Sequence, residues 1–237
     1  MTRITGSFKI GEDWLFRDID LTLHPAGWTC LLGPSGVGKT TLLRLLAGLE
    51  TYGVFEGTII TDDGQPVVGR AAYMAQQDLL MPWLDVLGNV TLGARLRGEK
   101  ADMARARELI VRVGLDQHID KHPSELSGGM RQRAALARTL MEDCPFVFLD
   151  EPFSALDART RAEMQELAFE LLFDQNVLLV THDPGEAARL GHKIVILDEA
   201  GLKDFPINNA EPLRPSDDAN SFKLQTQLLS VLRVVPS

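Results

Sequence analysis

Eight consecutive residues, Gly33-Pro34-Ser35-Gly36-Val37-Gly38-Lys39-Thr40, satisfy the pattern G-x-x-x-x-G-K-[ST]. Glycines in such a loop let backbone N–H groups turn inward around phosphate oxygens, and a helix N-terminus just beyond adds a favourable dipole. Lys39 can reach the β- and γ-phosphates of a nucleotide, and Thr40 can give its hydroxyl to Mg²⁺. Ser35 and Thr41 can add hydrogen bonds. Downstream, Pro145-Phe146-Val147-Phe148-Leu149-Asp150-Glu151 is an apolar run ending in two carboxylates. Asp150 suits Mg²⁺, directly or through water, and Glu151 would project into the site and polarise an attacking water. Taken alone, the same run is a strand that turns polar where it meets solvent. With a phosphate loop upstream, the catalytic reading is the better one.

These groups need strands to carry them to one edge of a sheet. Ile4 to Ile10, the alternating Ile19, Leu21 and Leu23, and Trp28 to Leu32 read as strands, the last apolar throughout as if buried on both faces. Thr40 to Ala47 has helix composition and stops at Gly48. Short strands with Gly turns are expected over 53–75, and a largely helical stretch over 84–142, interrupted near Gly98, Gly114 and Pro123. Within it Met103, Ala106, Leu109, Ile110 and Val113 form an apolar stripe at helical spacing, with Arg on the outer face. From Pro145 an α/β rhythm follows: strand 146–149, helix 157–173, strand 177–180, helix 184–190, strand 193–197. That alternation predicts a parallel sheet covered by helices. A strand is expected at Leu202 to Ile207. A terminal helix is expected at Asn220 to Val235, packing on the rest through Phe222, Leu224, Leu228, Leu229, Val231 and Leu232. The chain reads as one α/β core with a helical insertion.

The 237 residues include 45% hydrophobic ones, enough for a sizeable core, and carry a formal net charge of -9. A general nucleic-acid binder would carry the opposite sign, so no nucleic-acid partner is expected. Cys30 and Cys144 each lie in an apolar run and read as buried thiols in a reducing compartment. Apolar stretches break well short of the roughly 18 residues of a membrane span. The N-terminal residues lack the apolar segment of a signal peptide, so a cytosolic chain is expected.

Leu126-Ser127-Gly128-Gly129-Met130-Arg131-Gln132-Arg133 resembles the signature motif of ATP-binding-cassette (ABC) ATPases. Physically it is a second anion site: Ser127 can cap the following helix, and Gly128 and Gly129 expose N–H groups at its N-terminus. Ala134, Ala137, Leu140 and Met141 would face inward. Other motifs of that family stand in order. Gln76 in Met74-Ala75-Gln76-Gln77-Asp78 matches the Q-loop glutamine, which the family places near the metal and the attacking water. Pro82-Trp83 follows it at the family's spacing, which favours Gln76 over Gln77. Ser154-Ala155-Leu156-Asp157 matches the D-loop, and Thr181-His182-Asp183 matches the switch histidine that contacts the γ-phosphate. The resemblance spans about residues 4 to 200. It implies a phosphate-loop NTPase cassette with a mixed β-sheet core, an N-terminal antiparallel β subdomain and an inserted α-helical subdomain. The core would comprise about 1–83 and 145–200, the helical part about 84–144, and the extension about 201–237. The family's adenine-stacking aromatic aligns with Ile10, with Phe8 and Trp14 as substitutes.

In that family ATP binds between two cassettes, the phosphate loop of one facing the signature helix of the other. The resemblance therefore implies ATP and Mg²⁺ as ligands and a second copy of the chain as partner. No long coiled coil separates the two motifs, unlike chromosome-maintenance relatives. Leu79 to Val90, rich in apolar and aromatic residues, matches the groove that receives a permease's coupling helix. A buried core of the helical part must use some of the same residues. Leu80-Met81-Pro82-Trp83, Phe153 and Asp183-Pro184-Gly185-Glu186-Ala187 are most similar to cassettes of nitrate, sulfonate, taurine and pyrimidine-precursor importers. The expected protein is the ATPase of a bacterial importer, peripheral on the cytoplasmic side of the inner membrane, working with permease subunits and a periplasmic solute-binding protein. A cassette acting without a permease and an exporter cassette are the alternatives.

Overall fold

A computed structural model describes residues 2–207, 211–215 and 219–234, apart from the side chain of Val234. Its first strands, β1 (Arg3–Ile10) and β2 (Asp13–Thr22), form a hairpin, and β3 (Trp28–Leu32) follows. After the phosphate loop come α1 (Lys39–Ala47), β4 (Val54–Ile60) and β5 (Ala71–Met74). The helical stretch contains α2 (Val86–Val90), α3 (Leu92–Leu96), α4 (Met103–Arg112) and α5 (Gly128–Leu140). The chain then alternates: β6 (Phe146–Asp150), α6 (Ala158–Leu171), β7 (Asn176–Val180), α7 (Pro184–Leu190), β8 (Lys193–Asp198), β9 (Gly201–Phe205) and α8 (Ala219–Val234).

Two sheets result among the described residues. One is antiparallel, in the order β2-β1-β4; the other runs β5-β6-β7-β3-β8-β9. In the second sheet β5, β6, β7, β3 and β8 are parallel, and β9 returns antiparallel to β8. The sheet is thus mixed, as the resemblance implied. Central β3 shows why its sequence is apolar without alternation. Trp28, Cys30 and Leu32 enter the core beneath α5, α6 and α7, whereas Leu31 enters a second core with Phe8, Phe16 and the buried leucines of α1. Leu42, Leu43 and Leu46 are fully buried there. Each such side chain stabilises the docked helix by about 1.5–3 kcal/mol, which anchors the phosphate loop at the N-terminus of α1.

Several local expectations shift. Met103 is 43% exposed, because α4 begins at Met103 and its first turn projects beyond the surface that buries Ala106, Leu109, Ile110 and Val113. Cys144 is half-buried, sitting in the turn between α5 and β6, whereas Cys30 is buried on the central strand. The strand expected at 202–207 covers Gly201–Phe205, ending with Phe205 opposite Ile194 before Pro206, which has no N–H for the ladder. In α8, Leu224 and Leu228 are buried and Leu232 packs partly, but Phe222, Leu229 and Val231 lie exposed on other faces of the helix. One helix offers a single buried stripe, and α8 lays it against α7. The predicted last residue of that helix, Val235, lies outside the described residues.

Candidate nucleotide site

Parallel pairing puts the C-terminal ends of β3, β5, β6 and β7 at one edge of the sheet. Met74 pairs with Leu149, Asp150 with Val180, and Leu31 with Val180. The residues just beyond those ends are the phosphate loop, Gln76, Glu151 and His182. Ligands of open α/β sheets bind at this edge.

The phosphate loop runs from Gly33 to the start of α1. Gly33 has φ 153°, and a Cβ there would stand 2.1 Å from the Leu197 carbonyl oxygen, so only glycine fits. Gly38 is the N-cap of α1 at φ 107°, with no side-chain cap on the helix, so the first N–H groups of α1 remain for an anion. Lys39 Nζ donates to the carbonyls of Gly33 at 2.8 Å and Pro34 at 2.7 Å. Burial lowers the pKa of its ammonium, and Glu151 and Asp150 oppose that shift. Ser35, Gly36 and Thr40 are exposed, while Pro34, Val37 and Thr41 are half-buried.

Asp150 is buried at the end of β6. Burial raises its pKa, and hydrogen bonds from Thr40 and Tyr73 oppose the shift, with Lys39 also favouring the charged form. A buried carboxylate beside a threonine hydroxyl is a hard oxygen donor pair, which fits Mg²⁺. No group of three or more His, Cys, Asp or Glu suited to a metal occurs among the described residues. Mg²⁺ takes one or two carboxylates and fills its shell with phosphate oxygens and water. Tyr73 carries no signal in the sequence motifs, because only its place on β5 beside β6 brings it to Asp150.

Glu151 stands at φ 48°, an unusual backbone for a non-glycine residue, held by its N–H on the Val180 carbonyl at 2.9 Å. Its carboxylate accepts from Gln76 Nε2 at 3.1 Å and lies 3.0 Å from His182 Nδ1. Gln76, Glu151 and His182, far apart in sequence, therefore meet around one oxygen, Oε2. Gln77 is exposed and has no part in this cluster.

Beside the loop lies a cleft of about 720 Å³, lined by Trp14, Leu15, Arg17, Ser35, Gly36 and Glu199 among others. Of the three candidates for base stacking, Trp14 alone lines it. Phe8 is fully buried between the sheets, and Ile10 is exposed at the tip of the β1–β2 hairpin. Position in the alignment pointed first to Ile10, whereas the β1–β2 hairpin brings Trp14 beside the loop. Its indole already has the Arg17 guanidinium 5.2 Å and the Lys9 ammonium 5.5 Å from the ring centre.

The signature residues lie apart from this cleft. Ser127 caps α5, accepting from the Met130 N–H at 3.3 Å. Ser127 and Gly128 are exposed and Gly129 is half-buried. Asp157 is exposed, and its carboxylate caps α6 by accepting from Arg159 and Thr160 at 3.1 Å. In Leu79–Val90, Leu80, Val86, Asn89 and Val90 are buried, whereas Leu79 is 53% and Trp83 70% exposed. The segment thus divides between core and surface. Arg138 donates to the carbonyls of Asp78 and Leu79, and Arg131 pairs with Asp78 at 2.9 Å, so α5 carries the start of this segment.

The family model described as ABC transporter matches residues 16–154. A protein of Haemophilus influenzae described as an uncharacterized ABC transporter ATP-binding protein is 48% identical over 233 residues, 95% of each chain. The aliphatic sulfonates import ATP-binding protein SsuB 1 of Rhodococcus jostii is 46% identical over 223 residues, 92% of this chain and 87% of that one. Among solved structures, a dimeric ATP-binding cassette in a post-hydrolysis state bound to ADP and Pi superposes with a TM-score of 0.75 at 27% identity, covering 91% of this chain and 100% of the other.

Proposed function

The chain belongs to the ABC transporter family, and on that premise we propose how it works as the ATP-hydrolysing subunit of an importer. The observation that carries the mechanism is the convergence of Gln76 and His182 on Glu151, at 3.1 and 3.0 Å, beside the phosphate loop. ATP lays its phosphates in the loop, against the free N–H groups of α1 and Lys39 Nζ, which exchanges its loop carbonyls for phosphate oxygens. Trp14 stacks on the adenine. Thr40 and Asp150 would hold Mg²⁺, with Gln76 as a further oxygen donor, and the ion would supply positive charge to offset that of the phosphates. Glu151 takes the position of the base that orients and polarises water, Gln76 aligns it, and His182 donates to the γ-phosphate side.

Ser127, Gly128 and Gly129 address the γ-phosphate of ATP held by a second copy, with Asp157 at the contact between copies. The exposed start of α5 supports this: Ser127 and Gly128 face solvent, with Ser127 Oγ accepting from the Met130 N–H. ATP-driven closure of two copies moves the permease, which docks on exposed Leu79 and Trp83. Hydrolysis reopens the pair. Among the described residues no helix is long and apolar enough to cross a membrane, and the subunit acts peripherally, on the cytoplasmic side of the bacterial inner membrane. Solute recognition falls to the permease and a periplasmic binding protein. The chain divides into a nucleotide core (about 1–83 and 145–200), a helical part (about 84–144) and a C-terminal extension (about 201–237).

The deciding experiment is co-purification from membranes of a tagged full-length chain, followed by MgATP turnover of the captured assembly. A chain that captures permease subunits and hydrolyses ATP supports the importer reading, and a soluble chain with no membrane partner overturns it.

A further inference from the structure

Beside His182 lies a small cavity of about 50 Å³ lined by Glu151, Ser154, Arg161, Thr181, His182, Asp183 and Glu186. Arg161, near the start of α6, donates to the carbonyls of Phe153 at 3.3 Å and Leu156 at 2.9 Å. The same guanidinium stands 3.8 Å from Asp183 and 4.0 Å from Glu186. Glu186, in α7, is 6% exposed and accepts from Thr181 Oγ1 at 2.7 Å. Thr181 Oγ1 in turn accepts from the Asp183 N–H at 3.0 Å, and Asp183 caps α7 through Gly185 at 2.7 Å. Both neighbours of His182 are therefore tied down, one of them through Glu186, while the imidazole itself stays exposed.

A structural role alone accounts poorly for Glu186. Its neighbours Ala187, Ala188 and Leu190 already dock α7 on the core, and an apolar side chain would cost less to bury than a carboxylate. Its polar partners are Thr181, in the loop that carries His182, and Arg161, near the start of α6 and bonded to the 153–156 backbone. We propose that Glu186 and Arg161 are positioning residues for ATP hydrolysis: Glu186 fixes the 181–183 turn that presents His182, and Arg161 locks that turn to the 153–156 backbone. This rests on the ATPase reading above and extends it to two residues to which that reading gives no role.

The charge state of Glu186 gives the lock a pH dependence. The groups facing it are Arg161 from α6, His182 and Asp183 from the loop, Glu151 across the cavity and the Cys30 thiol from β3. Burial pushes its carboxyl up to about 7; Asp183 adds to the shift, and Thr181, Arg161 and His182 oppose it. Above that value the carboxylate pairs with Arg161 and accepts strongly from Thr181. Below it the acid is neutral, and the pairing with Arg161 is lost.

The test compares full-length wild type, Glu186→Gln, Arg161→Ala and Arg161→Lys for MgATP turnover from pH 6 to 8, with ATP affinity and thermal midpoint measured alongside. At pH 8 a misplaced catalytic group should lower kcat of Glu186→Gln and Arg161→Ala by roughly tenfold, with Arg161→Lys in between. ATP affinity and midpoint should stay at wild-type values. The ratio of wild-type to Glu186→Gln turnover should shrink toward one at pH 6, where the wild-type carboxyl is protonated and resembles the amide. Unchanged kcat in both variants, a ratio constant across pH, or parallel losses of ATP affinity and midpoint would each overturn the proposal. Absence of hydrolysis in the wild type would overturn it together with the ATPase reading, whereas an active wild type with a constant ratio overturns the proposal alone.

Discussion

Around the phosphate loop, each group proposed to handle phosphate, metal or water already has a protein partner: Lys39 on Gly33 and Pro34, Asp150 on Thr40 and Tyr73, Gln76 and His182 on Glu151. The signature turn is built differently. Ser127 and Gly128 are exposed, and a Cβ added at Gly128 would meet only the tip of Arg131, at 3.9 Å. Both are helix N-termini, so both favour anions, but one is buttressed by four strand ends and the other stands free at the start of α5. The two regions divide the labour. The first region is preorganised by its own chain and suits chemistry; the second suits docking onto a phosphate that another molecule presents.

The largest test of that division is Glu151→Gln. Removing a general base costs about 10²–10⁴ in rate, so hydrolysis should nearly vanish while MgATP stays bound and the closed pair accumulates; turnover assays with size-exclusion chromatography in ATP read both. Undiminished turnover would remove Glu151 from its role. Lys39→Ala should weaken ATP binding by at least about tenfold, the worth of a charge-assisted hydrogen bond, as measured by calorimetry. Gly128→Asp, which puts a like charge where phosphate should arrive, should abolish turnover yet leave ATP affinity of the single chain intact. Mixing Lys39→Ala chains with Gly128→Asp chains then sharpens the comparison. Hybrid pairs contain one complete site, so some hydrolysis should return, and none would return if each chain completed its own site.

Smaller effects belong to the periphery of each region. Trp83→Ala, truncating a 70% exposed aromatic, should lower affinity for the permease by about 30-fold if it is an interface anchor, with turnover of the isolated chain unchanged. Trp14→Ala should raise the Kd for ATP by roughly fivefold, the low end of base stacking on an aromatic ring. An equal loss for inorganic triphosphate would show that Trp14 acts on the loop and not on the base.

The phosphate loop, the Asp150–Glu151 strand end and the signature were legible because their chemistry demands particular residue types at fixed local spacing. The α/β rhythm after Pro145 was legible for a similar reason: buried parallel strands are apolar runs and their covering helices keep a 3.6-residue period. Cys144, Met103 and Phe222 resisted. Local hydrophobicity says that a residue can be buried, but which face of an element meets a neighbour depends on packing.

By itself, then, the sequence determined which residues could hold phosphate, metal and water, and that a single α/β core carries them, because those demands act over a few neighbouring residues. Tertiary structure alone decided that Gln76 and His182 share one oxygen of Glu151, that Trp14 rather than Phe8 or Ile10 reaches the cleft, and that Glu186 and Arg161 stand behind the switch loop. Each of those facts joins positions on different strands or helices. Their distances follow from strand order and sheet register, which no local pattern encodes.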